Sequence, residues 1–394
     1  MSAHVVGGTY WERCLEPDWS AMYGSGYRAA SLLAAGGVDV TLTTRVGRHD
    51  EQSLRTYVAS QPRMTLDLAV DDLPTMEFNY ACPLDEPRIW PPHDGVVAVP
   101  MNAAGDVVLA FGMLDGRISY YADTAVWDPQ SVFPLAPSSV GKSRRLAIVA
   151  NAGQIRALGG SADLSIAMTR LAQAERADVV IAKNGLAGAS VLHGGAEFRV
   201  PAYASTGAFS IGSGDVFSAV FTRVWALEGL SVEIAADIAS RAVAAYTASQ
   251  SLDGLDTQTM TKRQSAPIVP QPGRVYLAAP FFDLGQKALL DIAEHALKEA
   301  GMSVASPLRI VGRGPAADVA PADLALLASC AGVFAILTDR DVGTVFELGW
   351  AHDRGLHAVA YAPNLAEHQR TMLQGNGVQL FDDFSMAVVA AATA

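Results

Sequence analysis

The chain has 394 residues, of which 50% are apolar and 17% charged, with a formal net charge of −12. That length predicts two domains, and that apolar share supplies sizeable cores and argues against a disordered chain. An acidic chain without a Lys/Arg run is a poor fit to a nucleic-acid polymer, because phosphate binding needs clustered cations.

No stretch approaches the roughly 18 apolar residues of a membrane span, and the opening MSAHVVGGTY has no basic leader, so a soluble, cytoplasmic protein without membrane contact is expected. Cys14, Cys82 and Cys330 are scattered, and there is no C-x-x-C or H-E-x-x-H. Neither a disulfide framework nor a metal site follows.

Short β-branched runs alternate with Ala/Leu-rich stretches. RLAIVA (145–150), DVVIAK (178–183), RVYLAA (274–279) and GVFAILT (332–338) predict buried parallel strands. SADLSIAMTRLAQAERA (161–177) and GQKALLDIAEHALKEAG (285–301) predict the helices between them, which is α/β alternation. The polar stretch 253–274 carries three prolines and no apolar period. It predicts a linker over 256–272 between domains at 1–255 and 273–394.

In the first domain, AFSIGSGDVFSAVF (208–221) reads as a strand end, a glycine turn, Asp215 and an apolar helix. Backbone N–H groups at such a helix start suit an anion. The element resembles the anion hole of the PfkB, or ribokinase, family of carbohydrate and nucleoside kinases. Also similar are GSGYRAASLLAAGGVDVTLTTRVGRHD (24–50), DPQ (128–130), IVANAGQ (148–154) and AKNGLAGASV (182–191). The resemblance implies a three-layer α/β domain using ATP and Mg2+. Asp215 would take the proton of the attacking hydroxyl, and Gly212, Ser213 and Gly214 would hold the transferred phosphoryl charge. It places Gly24, Gly26 and Arg28 at the sugar, and Lys183, Gly185, Asn151 and Gln154 around the nucleotide.

Three departures stand out. Arg28 replaces an asparagine, Phe209-Ser210 replaces Asp-Thr, and neutral Gln154 replaces a glutamate that helps place magnesium. Arg28 equally fits a structural ion pair. The pair Gly24 and Gly26 lacks the third glycine and the acidic residue of a dinucleotide fingerprint, so NAD binding is rejected.

In the second domain, VYLAAPFF ends a strand, Asp323 opens a helix, and DVGTVFELGWA follows the strand at 332–338. This set resembles the nucleoside 2-deoxyribosyltransferase-like family over most of 273–372. The implied fold is a small doubly wound, flavodoxin- or Rossmann-like α/β domain that needs no cofactor. The resemblance makes Glu347 the nucleophile and Asp323 the acid. Tyr276 positions the nucleophile, and Asp341 and Gly343 lie at the sugar. A carboxylate there has independent chemical sense, since cleaving an N-glycosidic bond builds positive charge on the sugar. In the RTM element, Arg370 stands where the family has asparagine and Met372 is kept. An arginine there favours a 5′-monophosphate over a free nucleoside. Structural alternatives remain open: Asp323 as an N-cap after Pro321, Asp341 as a turn acid, Arg370 as a surface residue and Tyr276 as core.

Two readings follow. One is a bifunctional enzyme of nucleoside or nucleotide metabolism. The other is a sensor, in which a kinase-like domain binds a nucleotide or sugar without turnover and regulates a nucleotide hydrolase. Both take small nucleosides, nucleotides or sugars as partners, and both imply a homo-oligomer.

Overall fold

The apolar runs pair into sheets whose two faces bury different residues. The computed structural model describes every residue except 93–97, 131–134, 272, 340 and 394. The chain forms two units, one of Met1–Tyr80 and Glu86–Pro267, the other of Ala81–Asp85 and Ile268–Ala394.

In chain order the first unit's strands are β1 (Ser2–Val6), β2 (Trp11–Cys14), β3 (Trp19–Met22), β4 (Asp39–Gly47), β5 (Met64–Asp71), β6 (Glu77–Tyr80), β7 (Arg88–Trp90), β8 (Val99–Phe111), β9 (Gly116–Asp128), β10 (Gly141–Asn151), β11 (Val179–Lys183), β12 (Ala189–His193) and β13 (Ala196–Val200). Nine of them form one sheet in the order β13-β12-β11-β10-β9-β8-β1-β4-β5. The strands from β11 to β5 run parallel, and β12 and β13 are antiparallel at one edge. A smaller sheet, β3-β2-β6-β7, lies in the same unit.

Successive residues of a strand face opposite sides, and here each side has its own core. Val5, Val149 and Ile181 join Leu32, Phe217 and Ala239 in one cluster, with the helices Gly24–Ala35, Ser213–Phe221 and Val232–Ser249. Val6, Ile148 and Val180 join Ile155 and Met168 in the other, with the helices Ala152–Gly159 and Leu164–Glu175. The result is a three-layer α/β unit of the expected class.

The second unit repeats this logic with β14 (Arg274–Ala278), β15 (Ser303–Ala305), β16 (Gly332–Ile336), β17 (His357–Tyr361) and β18 (Gln379–Phe381). All five are parallel, in the order β15-β14-β16-β17-β18. Val275, Leu277 and Phe334 lie in one core, and Tyr276, Ala278, Val333 and Ala335 in the other. The strand order reverses between β14 and β16, and ligands of open parallel sheets bind outside the carboxyl ends at such a switch point.

Two expectations need correction. The stretch expected to be a linker contains a helix, Thr257–Lys262, capped by Asp256 and burying Met260. One apolar anchor in six residues leaves no period to detect. Asp323 does not open its helix. That helix runs Ala316–Ala328 with Pro315 at its N-cap and Pro321 inside it. Helices favour proline in their first turn, so Pro321 imitates a start signal.

All three cysteines are buried. Among the described residues no helix is long and apolar enough to cross a membrane.

Arg45 fastens the end of β4. Its side chain is 1% exposed and pairs with Asp71 and with Asp115, itself 1% exposed. It also donates to the carbonyl of Pro74 at 2.8 Å. Removing one partner of a buried pair strands the other charge. Arg45→Met should therefore cost about 3–5 kcal/mol of stability, read as an earlier urea midpoint by circular dichroism. An unchanged midpoint would show that the pair holds nothing.

Candidate functional site

The second unit's alternation puts Tyr276 on the same sheet face as Leu348, with no exposed surface of its own. Glu347 lies in the second turn of the helix Val342–Asp353, which follows β16. The Tyr276 hydroxyl donates to Glu347 Oε1 at 2.5 Å. Glu347 is half-buried, and loss of water pushes its carboxyl up to about 7. The charges of Asp323 and Asp341 push the same way, while the Tyr276 hydrogen bond pulls it back. The Tyr276 phenol is raised in turn, by burial and by Glu347. Asp323 Oδ1 is buried without a hydrogen-bond partner, and burial raises that carboxyl too. Buried acceptors in native folds are nearly always paired, and Asp323 Oδ1 is an exception. Tyr276, Glu347, Asp323 and Asp341 thus share one electrostatic neighbourhood at the switch point.

The other predicted residues of this unit are placed differently. Asp341 is the N-cap of the helix Val342–Asp353 and accepts from Thr344 N at 2.8 Å and Thr344 Oγ1 at 3.0 Å. Gly343 sits in that cap, where a Cβ would lie 3.0 Å from Asp341 Oδ2. Arg370 pairs with Asp382 at 2.5 Å and donates to the carbonyl of Leu365 at 3.0 Å. Met372 is 73% exposed. Sequence reasoning passed over Arg313, which stacks 5.7 Å over Phe281 and donates to its carbonyl at 3.3 Å, just past the end of β14.

In the first unit, Gly24 and Gly26 serve close backbone contact. Gly24 has φ +72°, and a Cβ on Gly26 would lie 2.5 Å from the Gly7 carbonyl carbon. Arg28, on the same helix, is fully buried. It pairs with Glu12 through both terminal nitrogens, and its Nη1 donates to Asp215 Oδ2 at 2.8 Å. Gln130 Nε2 donates to Asp215 Oδ1 at 3.0 Å. Burial pushes the Asp215 carboxyl up to about 6, with Arg28 opposing and Glu12 and Asp128 assisting. Gly212 takes φ +76° at the N-cap of the helix Ser213–Phe221, whose first turn holds Ser213, Gly214 and Asp215. Glu12 was invisible in the sequence, since no motif contains it.

Lys183, at the end of β11, pairs with buried Asp128 at 2.7 Å. Gly185 starts a short turn after it, with φ +56°. Asn151 and Gln154 bond each other as a capping box on the helix Ala152–Gly159. Gln154 Oε1 accepts from Asn151 N at 2.9 Å, and Asn151 Oδ1 accepts from Gln154 N at 2.8 Å. Both side-chain oxygens are directed at helix-start N–H groups, and neither is a carboxylate. This pair does not fit a magnesium site. Among the described residues no group of three or more His, Cys, Asp or Glu is placed to hold a metal.

The raised Glu347 carboxyl makes stability depend on pH. Folded chains keep this proton up to about pH 7, whereas an ordinary glutamate releases it near 4.5. The folded state therefore binds more protons across that window, and stability falls as pH rises through it. Glu347→Gln, which cannot ionise, should lose less melting temperature than wild type between pH 5 and pH 8. Parallel melting curves for the two proteins would contradict the raised value.

Residues 275–386 match the family model described as nucleoside 2-deoxyribosyltransferase. No curated protein matches the chain. Solved structures align with the chain at low identity. Ribokinase from Thermotoga maritima is 16% identical, covering 67% of this chain and 100% of its own, with a TM-score of 0.47. A pyrophosphate-dependent kinase in the ribokinase family, complexed with a pyrophosphate analog and myo-inositol, is 12% identical, with coverages of 66% and 99% and a TM-score of 0.49. A ribokinase II from E. coli is 13% identical, with coverages of 67% and 100% and a TM-score of 0.49. The family identified by the comparisons is thus the nucleoside 2-deoxyribosyltransferase family, matched over residues 275–386 of the C-terminal unit.

Proposed function

We propose that the C-terminal unit breaks the N-glycosidic bond of a ribo- or deoxynucleoside, or of its 5′-monophosphate, and passes the sugar to water or to a second base. The observation that carries this reading is the 2.5 Å bond from the buried Tyr276 hydroxyl to Glu347. It supports the reading because the helix carrying Glu347 follows β16, and open parallel sheets receive ligands outside their carboxyl ends at a switch point.

Glu347 attacks the anomeric carbon, and the carbon–nitrogen bond breaks with its electron pair leaving on the base. Asp323, whose carboxyl is raised by burial, gives a proton to that nitrogen. The glycosyl ester on Glu347 is then opened by water or by another base. Asp341, tied to Thr344, contributes negative charge that favours the cationic sugar. The choice between free nucleoside and monophosphate does not rest on Arg370, whose guanidinium is already held by Asp382. The first unit's contribution turns on Asp215.

A homo-oligomer fits the same unit. The helix Val342–Asp353 presents Val342, Val345 and Phe346, exposed at 82%, 41% and 61%, at the spacing of one helical face. A second copy of the chain would cover this stripe.

Base release from nucleosides and monophosphates, followed by chromatography, tests the reading. Glu347→Gln should lower the rate on the order of 10³-fold or more, and Asp323→Asn by about 10²–10⁴-fold. In wild type, kcat/KM should rise with pH through a limb near 7, where Glu347 ionises. Tyr276→Phe should move that limb upward, because it removes the bond that favours the carboxylate. Undiminished base release by Glu347→Gln would end the proposal. Light scattering should show a dimer or larger, reduced to monomer by Phe346→Asp; a monomeric wild type would refute the oligomer.

A further inference from the structure

Kinase chemistry at Asp215 needs an acceptor hydroxyl within about 2.6–3.2 Å of its carboxylate. In this chain the space beside that carboxylate is filled by the protein itself. Arg28 Nη1 lies 2.8 Å from Asp215 Oδ2. The guanidinium also lies against the glycine turn, and a Cβ on Gly212 would fall 2.1 Å from Arg28 Cζ. The Tyr23 ring covers it at 4.9 Å. Arg28 is 0% exposed, and Asp215 is 7% exposed. The far side of the guanidinium meets Glu12 in a two-point pair, and Glu12 Oε1 also accepts from Gly24 N at 3.1 Å.

We infer that Glu12 and Arg28 are the resident occupants of the first unit's acceptor pocket, that Asp215 is a second counter-ion to Arg28, and that the unit transfers no phosphoryl group to a sugar or nucleoside. Three physical arguments converge on this. A neutral hydroxyl reaches Asp215 only by displacing Arg28, which strands two buried carboxylates, Glu12 and Asp215, without their cation. An anionic acceptor gains nothing from Arg28, because Glu12 already neutralises it in the two-point geometry that a carboxylate ligand would use. On the other side of Asp215, Gln130 Nε2 holds Oδ1 at 3.0 Å. Arg28 Nε is buried and makes no hydrogen bond. The guanidinium therefore stays through its ion pairs and its fit to the pocket, with one donor sacrificed. Glu12 decides the outcome, since without it Arg28 would keep only Asp215 as an ion-pair partner and would turn its far side to an anionic ligand. This inference goes beyond the glycosidic chemistry of the C-terminal unit and does not rest on it.

The test uses the whole chain with ATP and Mg2+ and, in turn, ribose, 2-deoxyribose and a nucleoside, reading ADP and phosphorylated product by mass spectrometry. Wild type is expected to form no more product than Asp215→Asn. Sugar-dependent product that Asp215→Asn lowers about a hundredfold, the scale of a lost general base, overturns the inference. The double substitution Glu12→Ala/Arg28→Ala empties the pocket. Calorimetric titration with ribose should show binding that wild type lacks. Ribose binding by wild type, or a folded double variant that binds none, counts against the inference. Where the double variant does not fold, the wild-type measurements decide. Base release assayed on wild type in the same samples reports the C-terminal unit separately, so failure of one idea is distinguishable from failure of the other.

Discussion

A neutral phenol donating to a half-buried carboxylate is the contact on which the C-terminal unit depends. Tyr276 meets Glu347 because β14 alternates Val275 and Leu277 to one face and Tyr276 and Ala278 to the other. A slip of one residue would send Tyr276 into the opposite core and leave Glu347 without its donor. The pairing of Tyr276 with Ala305 on one side and Val333 on the other fixes that register. The five parallel strands thus act as a jig. Their order puts the switch point between β14 and β16, and their pleat decides which side chain looks toward the helix that carries Glu347.

Much of this was legible in the sequence, and the reasons are local. The buried strands at 145–150, 178–183, 274–279 and 332–338 were apolar runs of strand length, and all four became strands with a parallel partner. Glu347 was readable because a carboxylate among Phe346, Leu348 and Trp350, one turn past a strand and a glycine bend, breaks the apolar pattern around it. What escaped depended on contacts between distant residues. Glu12 reaches Arg28 across 16 positions, and Asp215 reaches it across 187. Nothing in the local pattern around Arg28 separates a ligand-binding arginine from one locked in place. The pairing of Arg370 with Asp382 is hidden in the same way.

Asn151 and Gln154 illustrate a different limit. Their spacing fits a magnesium-associated pattern, yet a polar residue three positions before Gln at a helix start is also the signature of a capping box. The bonds at 2.9 and 2.8 Å show that this local use is satisfied. The same two residues therefore serve helix initiation, and replacing a family glutamate by Gln154 keeps the cap while removing the charge. Gly24 and Gly26 follow the same rule. Their lack of side chains is used up by contact with the backbone of Gly7 and Gly8, so their presence alone says nothing about a sugar.

The two candidate carboxylates differ most in the charge of their partner. Burial raises both, Asp215 to about 6 and Glu347 to about 7. Asp215 meets a guanidinium that is never deprotonated, and a full positive charge at 2.8 Å holds the carboxylate and occupies the space where a reacting atom would sit. Glu347 meets a phenol that carries no charge. A phenol orients one oxygen without cancelling the carboxylate, and in the proposed reaction it leaves the negative charge to be answered by the sugar as its anomeric carbon becomes positive. An arginine at position 276 would give Glu347 a permanent counter-ion and remove its reason to attack in the proposed reaction. The proposed nucleophile of one unit and the inferred counter-ion of the other are thus the same chemical group, both raised by burial and separated by whether the neighbour is neutral or charged.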